Sequence, residues 1–390
     1  MEKRAAMNPN PFSPVFGGKP DLFFGRKEVL GRFDRALADR GSEDRAMFIT
    51  GTRGCGKTAL VEQLSLRARH EGWMSIDLGP EEALRALTRR LAGHDAITKT
   101  TDPQVSISVL GSGGSLGGIS TSKTIHVDTS DLDLLLIDAC TKQKKGMMVT
   151  IDEVQKLPQK DISAISNAFQ MASRKGCDAI LVVAGLPYSY EEVIAYPGCT
   201  FMRRAAHEKI GLLKKDEVVE AFARTLAREA GIKVSGDALQ DLVSASYGHP
   251  YMMQLLGYYV VDEANRQEQA ASDVAEVTDV CGAIRQARDA YCARALRPMV
   301  AELTPSEREY LAAMAGALDA GRMADVSHIA EALGKTTKQT SMTRRALLRS
   351  GIVISPARGK LMFTIPYLAD YLTTPESVVD ESQLYRAWGV

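Results

Sequence analysis

Eight residues, Gly51-Thr52-Arg53-Gly54-Cys55-Gly56-Lys57-Thr58, constrain this chain more than any other stretch. They fit the pattern GxxxxGK[ST], and their setting fits too. The apolar run 46–50 before them reads as a strand, and residues 57–70 after them read as a helix. Glycines let the backbone bend round a phosphate with its N–H groups turned inward. The start of the following helix adds the positive end of its dipole. Lys57 in that position neutralises β and γ phosphates, and the Thr58 hydroxyl faces a Mg²⁺ ion. A chance glycine-rich turn would lack the strand and helix in register. The loop and its first helical turn, Gly51 to Ala59, are therefore expected to hold ATP through Gly51, Thr52, Arg53, Gly54, Cys55, Gly56, Lys57, Thr58 and Ala59.

A second apolar run, Met147-Met148-Val149-Thr150-Ile151, ends in Asp152-Glu153. Two acids at the end of a buried strand are what a nucleotide-hydrolysing site needs. Asp152 is expected to hold the Mg²⁺ hydration shell, and Glu153 to act as the general base that polarises the attacking water. Alone, such a pair is more often a helix cap or a solvated turn. The upstream phosphate loop makes the catalytic reading the better one.

The rest of the chain is read around these two motifs. Between residues 26 and 184, helical patterns alternate with short apolar runs, at 46–50, 73–78, 147–151 and 179–184. That order predicts an α/β fold with a parallel sheet covered by helices. Residues 104–127 interrupt it. Val105, Ile107 and Val109 alternate with serines, GSGGSLGG follows, and a second run reaches Val127, so a β-hairpin with a long glycine turn is expected. After about residue 206 the strand signals nearly vanish, and residues 214–230, 235–246, 249–267 and 273–296 read as helices. Pro298 and Pro305 are expected to end that bundle.

Composition narrows the class by exclusion. The 48 basic and 48 acidic residues cancel, so any attraction to nucleic acid has to be local. The six cysteines form no CxxC pair, which speaks against a zinc site and for a reduced, cytoplasmic protein. The N-terminal stretch has no apolar signal core, and no run approaches the length of a membrane span.

One charge cluster stands out. From Lys335 to Lys360 there are seven basic residues and no acid. They fall on a C-terminal pattern of three helices, 305–316, 325–333 and 337–349, followed by a two-stranded piece over 352–365 with Pro356-Ala357-Arg358-Gly359 at its tip. This reads as a winged helix with a recognition helix at 337–349. Lys338, Arg344, Arg345, Arg349, Arg358 and Lys360 are candidate contacts to double-stranded DNA. Winged helices also serve as protein-binding modules, and that alternative stays open.

Three weaker segments carry a family resemblance. Phe23-Phe24-Gly25-Arg26-Lys27-Glu28 precedes the phosphate loop, Thr200-Phe201-Met202-Arg203-Arg204 follows the fourth apolar run, and Gly248-His249-Pro250-Tyr251 opens a helix. In this order, with the two motifs above, they resemble archaeal-type, origin-recognition-like AAA+ ATPases and the related STAND signalling ATPases. The resemblance implies a P-loop NTPase core, an all-α helical lid and a C-terminal winged helix. It places Arg26 beside the adenine, His249 and Pro250 near the nucleotide between core and lid, and Arg204 as an arginine offered to a neighbouring copy's site. Each has a plainer alternative: a local ion pair for Arg26, a helix start for His249-Pro250. Tyr247 and Tyr251 are expected in the core. The polar sensor such proteins carry after the next strand is missing from Val183-Ala184-Gly185-Leu186-Pro187, and no lid arginine follows GHP. Slow or partner-stimulated turnover is the consequence.

The expected organisation is an irregular arm over 1–20, an ATPase core over 21–205 with the hairpin insert at about 104–127, a helical lid over 206–300, a winged helix over 301–374 and a tail over 375–390. The expected function is a DNA-associated ATPase switch. A STAND-like signalling ATPase whose winged helix makes protein contacts and an ATP-binding protein with negligible turnover are the alternatives, and a homo-oligomer or a protein partner is a possible assembly.

Overall fold

A computed structural model describes residues 9–14, 22–92, 96–101, 104–109, 123–127, 132–143, 145–268 and 277–373. The chain forms two compact units. One contains residues 26–51 and 57–210; the other contains residues 1–25, 52–56 and 211–390.

The first unit is α/β. Its elements run α1 (Lys27–Ala38), β1 (Ala46–Thr50), α2 (Lys57–His70), β2 (Met74–Leu78), α3 (Ala83–Ala92), β3 (Ala96–Thr101), β4 (Gln104–Val109), β5 (Lys123–Val127), α4 (Leu132–Lys142), β6 (Met147–Ile151), α5 (Gln159–Arg174), β7 (Ala179–Gly185), α6 (Ser189–Ala195) and β8 (Ala206–Lys209). Five strands make a parallel sheet in the order β2-β6-β7-β1-β8. Every residue of β1 and β6 is buried. Helices cover both faces, so these strands read as unbroken apolar runs rather than alternating ones. Phe48, Val149, Leu181 and Phe169 are among the core residues between sheet and helices.

Two expectations about this unit are corrected. The boundary at residue 206 cuts off β8, which pairs with β1 from Met47↔Ala206 to Thr50↔Lys209. Its sequence, AHEK, is that of a half-exposed edge strand, so it gives no apolar signal. The insert is larger than a hairpin at 104–127. It is a three-stranded antiparallel sheet, β3-β4-β5, whose first strand is the threonine-rich Ala96–Thr101. The glycine run itself lies outside the described residues.

The second unit begins with α7 (Lys215–Arg228), α8 (Gly236–Ser246), α9 (Pro250–Glu268) and α10 (Cys281–Tyr291). Phe12 of the N-terminal arm is buried in its core, tilted against Phe222 at 6.4 Å. The arm expected to be irregular is thus part of the packing here. Pro298 does not end the bundle. A π turn at Cys292–Leu296 carries the helix into α11 (Arg297–Ala301), with Pro298 in its first turn. A proline there gives up an N–H that the wider turn does not need.

Then come α12 (Pro305–Gly316), β9 (Met323–Asp325), α13 (Val326–Ala332), α14 (Ser341–Arg349), β10 (Val353–Ile354), β11 (Lys360–Phe363) and α15 (Leu368–Thr373). The start of α12 is fixed by a capping box, with Thr304 and Glu307 bonding each other's backbone N–H. Three strands pair antiparallel in the order β10-β11-β9. The helix expected over 337–349 is shorter, because residues 337–340 form a turn held by Thr336 and Gln339. One apolar core runs from Phe222 and Leu256 through Tyr291 to Tyr310, Leu347 and Leu361. Position 300/301 is therefore no break in packing. The Tyr367 hydroxyl donates to Ala245 O at 2.7 Å across it. Tyr247, expected in the core, is exposed and has a left-handed backbone, with φ 51°. Tyr251 is half-buried. Among the described residues no helix is long and apolar enough to cross a membrane.

Candidate active site

The sheet places the two motifs at the carboxyl ends of its strands, where ligands bind in open α/β sheets. The loop after β1 starts with Gly51, whose N–H donates to Gly185 O at the end of β7, at 3.3 Å. Gly54 and Gly56 take positive φ, 74° and 93°, a conformation that side chains resist. Lys57, the first residue of α2, is 8% exposed, and its Nζ donates to Gly51 O at 3.0 Å. The ammonium is thus folded back over the loop that it serves.

Thr58 meets the second motif directly. Its Oγ1 donates to Asp152 Oδ2 at 2.6 Å. The other carboxylate oxygen, Oδ1, accepts from Glu153 N at 2.8 Å. A hydroxyl and a carboxylate in contact are two hard oxygen donors, the set that Mg²⁺ prefers beside phosphate. Glu153 takes a left-handed backbone, φ 54°, and caps a short 3-10 turn, Val154–Lys156. Its carboxylate pairs with Lys156. Among the described residues Glu153 and Asp152 are brought to the same strand end, next to the start of α2.

The loop tip, residues 52–56, belongs with the helical unit. There the GHP segment lies against it. His249 is 3% exposed, and a Cβ on Gly54 would come within 2.2 Å of its Nε2. A Cβ on Gly56 would lie 3.5 Å from Pro250 Cγ. Gly248 has φ 68°, and a side chain there would strike Leu213 O at 2.3 Å. Burial pushes the His249 imidazole down to about 4, so it is neutral near pH 7. Its Nδ1 is buried without a hydrogen-bond partner, and Tyr291 meets the ring edge-on at 5.7 Å. Cys55 is buried, so the reactivity that its place at a helix start would suggest lacks access to solvent.

Other sequence candidates sit as follows. Arg26 caps α1 in a left-handed conformation, φ 60°, half-buried. Arg203 and Arg204 lie in a 3-10 turn, Met202–Arg204, just before β8. Arg203 Nε donates to Ile194 O at 2.6 Å, whereas Arg204 is exposed. In the C-terminal module Arg345, Arg349 and Arg358 are exposed, as is Lys338 in the turn before α14. Arg344 is half-buried beside the Tyr310 hydroxyl. Lys360 pairs with Asp325 at 2.8 Å and Asp319 at 3.4 Å, and Lys335 reaches Glu309 at 3.8 Å. The stretch without acids in sequence is thus partly neutralised in space. Met342, one turn from Arg345 on α14, is 74% exposed.

The sequence reading missed Gln155 and Lys156. They lie two and three residues after Glu153, and nothing in their local pattern marks them.

Comparison with known proteins places the fold. Residues 22–183 match the AAA ATPase domain family. Residues 293–372 match a domain of unknown function, DUF8462. No curated protein matches the chain. Among solved structures, the ORC2 protein of Aeropyrum pernix in its ADPNP-ADP complexes is similar with a TM-score of 0.59 at 14% identity, covering 96% of this chain and 98% of that one. Its ADP form gives 0.51 at 14% identity, covering 92% and 94%. Cdc6p of Pyrobaculum aerophilum gives 0.47 at 15% identity, covering 96% and 97%. An AAA ATPase domain thus occupies residues 22–183, and the chain as a whole has the fold of the Aeropyrum pernix ORC2 protein.

Proposed function

We propose that this ATPase is a nucleotide-dependent switch that acts on double-stranded DNA through its C-terminal module. The contact of Thr58 Oγ1 with Asp152 Oδ2 at 2.6 Å, beside the folded-back Lys57, carries the nucleotide part. In this reading Lys57 exchanges Gly51 O for β and γ phosphate oxygens. The N–H groups of Gly51 through Ala59 receive the phosphates, as Thr52, Arg53, Gly54, Cys55 and Gly56 line the loop. Thr58 and Asp152 hold Mg²⁺, which when bound supplies charge neutralisation at the phosphates. Glu153 leaves Lys156 and orients the attacking water. Arg204 serves the site of a neighbouring copy. Arg26, His249 and Pro250 are assigned to the nucleotide as well, His249 as a neutral group beside Gly54. The ADPNP-ADP and ADP forms of the ORC2 neighbour support an adenine nucleotide as ligand.

The C-terminal helices and three-stranded sheet support reading this module as a winged helix, with α14 as its recognition helix. Lys338, Arg345, Arg349 and Arg358 support a phosphate-facing surface, since all four are exposed. Arg344 and Lys360 fit that role less well, because each faces a partner within the module. Six cysteines outside any disulfide fit a reducing cytoplasm.

The test is duplex binding by the full chain at several salt concentrations, with ATP, with ADP and without nucleotide. Affinity that falls steeply with salt and changes between ATP and ADP is expected. Binding that ignores salt and nucleotide would replace the DNA reading with a protein-contact role of the STAND kind.

A further inference from the structure

The turn that carries Glu153 is tied through the side chain of Gln155 to the residue just past the neighbouring strand. Gln155 Oε1 accepts a hydrogen bond from Leu186 N at 3.3 Å. Leu186 follows Gly185, the last residue of β7, whose carbonyl accepts from Gly51 N, the first amide of the phosphate loop. A path of hydrogen bonds therefore joins the base, its turn, the end of β7 and the loop. Position 185 leaves no room for a side chain. A Cβ there would meet Ser189 Oγ at 2.3 Å, Val154 Cγ1 at 2.8 Å and Gln155 Oε1 at 3.0 Å. The space beside the strand end is filled instead by Ser189 from α6 and by Val154 and Gln155 from the turn. Ser189 Oγ donates to Leu186 O at 2.6 Å, a bond local to that segment, whereas Gln155 ties Leu186 N to the turn that carries Glu153.

The rest of the turn cannot do this alone. Val154 is buried and fixes its depth, but an apolar contact does not set its rotation. Lys156 N to Glu153 O and Leu157 N to Val154 O, at 2.9 and 3.0 Å, are bonds within the turn itself. The Lys156 side chain pairs with Glu153 and so moves with it. Glu153 occupies a left-handed backbone, φ 54°, which a bulky side chain adopts only where its surroundings enforce it.

We propose that Gln155 is a positioning residue for hydrolysis: its amide locks the Glu153 turn to the end of β7 and so sets the base relative to the phosphate loop. This rests on Glu153 being the base. Such a residue acts on the chemical step and leaves ground-state ATP binding nearly untouched.

The experiment compares steady-state ATP hydrolysis by the parent, Gln155→Met, Gln155→Glu and Glu153→Gln, with thermal unfolding measured for each. Methionine keeps the length of the side chain and loses the acceptor. Glutamate keeps an acceptor for Leu186 N. The expected result is kcat lowered about tenfold in Gln155→Met with KM within about twofold, and Gln155→Glu within about threefold of the parent. Rescue by glutamate separates positioning from simple loss of packing, which would lower both variants according to their melting temperatures. Parent-like kcat in Gln155→Met, or equal loss in both Gln155 variants, overturns the proposal. Glu153→Gln reports on the underlying reading. If it turns over as the parent does, the assignment of Glu153 is wrong and the proposal falls with it. If it is dead while Gln155→Met turns over as the parent does, only the role of Gln155 is wrong.

Discussion

The charged groups of the α/β unit and those of the C-terminal module are held in opposite ways. At the end of β1 and β6, each functional side chain already has a fixed partner: Lys57 on Gly51 O, Thr58 on Asp152, Asp152 on Glu153 N, Glu153 on Lys156. On α14 and the turn between β10 and β11, Arg345 and Arg358 face solvent, while Lys360, and Lys335 ahead of α14, pair with nearby acids and Arg344 lies against Tyr310. A preorganised site works through geometry, so losing one group removes most of the effect. A surface field works through summed charge, so losing one group removes a fraction. Substitutions in the two regions should differ in size and in their response to salt.

The largest effect is expected from Lys57→Ala. It deletes the ammonium proposed to exchange its carbonyl contact for two phosphates, and ATP affinity should fall about 100-fold or more. Calorimetry at fixed Mg²⁺ reads this directly. Parent-like affinity would mean that the loop is not the nucleotide site.

Glu153→Gln comes next. It removes the proposed base but leaves Asp152 and Thr58 in contact, so kcat should fall about 100-fold or more with ATP affinity within about threefold. A fall in affinity equal to the fall in kcat would place Glu153 in binding rather than in the chemical step.

A smaller, pH-dependent effect is expected from His249 in the helical unit. Burial holds its imidazole at about 4, against about 6.5 in an unfolded chain. Between these values the unfolded state binds a proton that the folded state refuses. Stability should therefore fall as pH drops from about 6.5 toward 4, by about 2 kcal/mol at pH 5. His249→Phe should flatten that part of the profile in urea unfolding. A residual slope is expected, because burial also lowers the His207 imidazole. An unchanged slope in the variant would show that His249 is accessible to protons in the folded chain.

What could be read in the sequence follows the same division. The phosphate loop and the acid pair were legible because each is a contiguous pattern on an apolar strand, and β1, β6 and β7 were legible because both their faces are buried. β8 was not, since AHEK is an edge strand whose pairing with β1 depends on a partner some 160 residues earlier. The packing of Phe12 was not legible: residues 1–20 read as an irregular arm, and nothing local says that Phe12 packs on Phe222. The link from Gln155 to Leu186 spans 31 residues and exists only because β6 and β7 are neighbours. The basic stretch failed in a different way. Its charge count was right, but the acids that neutralise Lys360 lie outside the window, at 319 and 325.

That neutralisation gives the smallest and most selective prediction. If α14 and its wing bind duplex through phosphates, exposed cations should count and paired ones should not. Arg345→Ala should weaken duplex binding a few-fold and flatten the slope of log affinity against log salt by roughly 0.9. Lys360→Ala should do neither, because its ammonium already sits between Asp325 and Asp319. It should act on the module instead, freeing two carboxylates on β9 and the preceding turn, with a small drop in melting temperature. Arg344→Ala should behave like Lys360→Ala, since that guanidinium faces Tyr310. Filter binding of the three variants at four salt concentrations sorts them. If Lys360→Ala and Arg345→Ala reduce affinity and salt slope equally, the ion pairs open on DNA and the whole basic stretch acts as one field. If none of the three changes the slope, α14 is not the duplex-binding face.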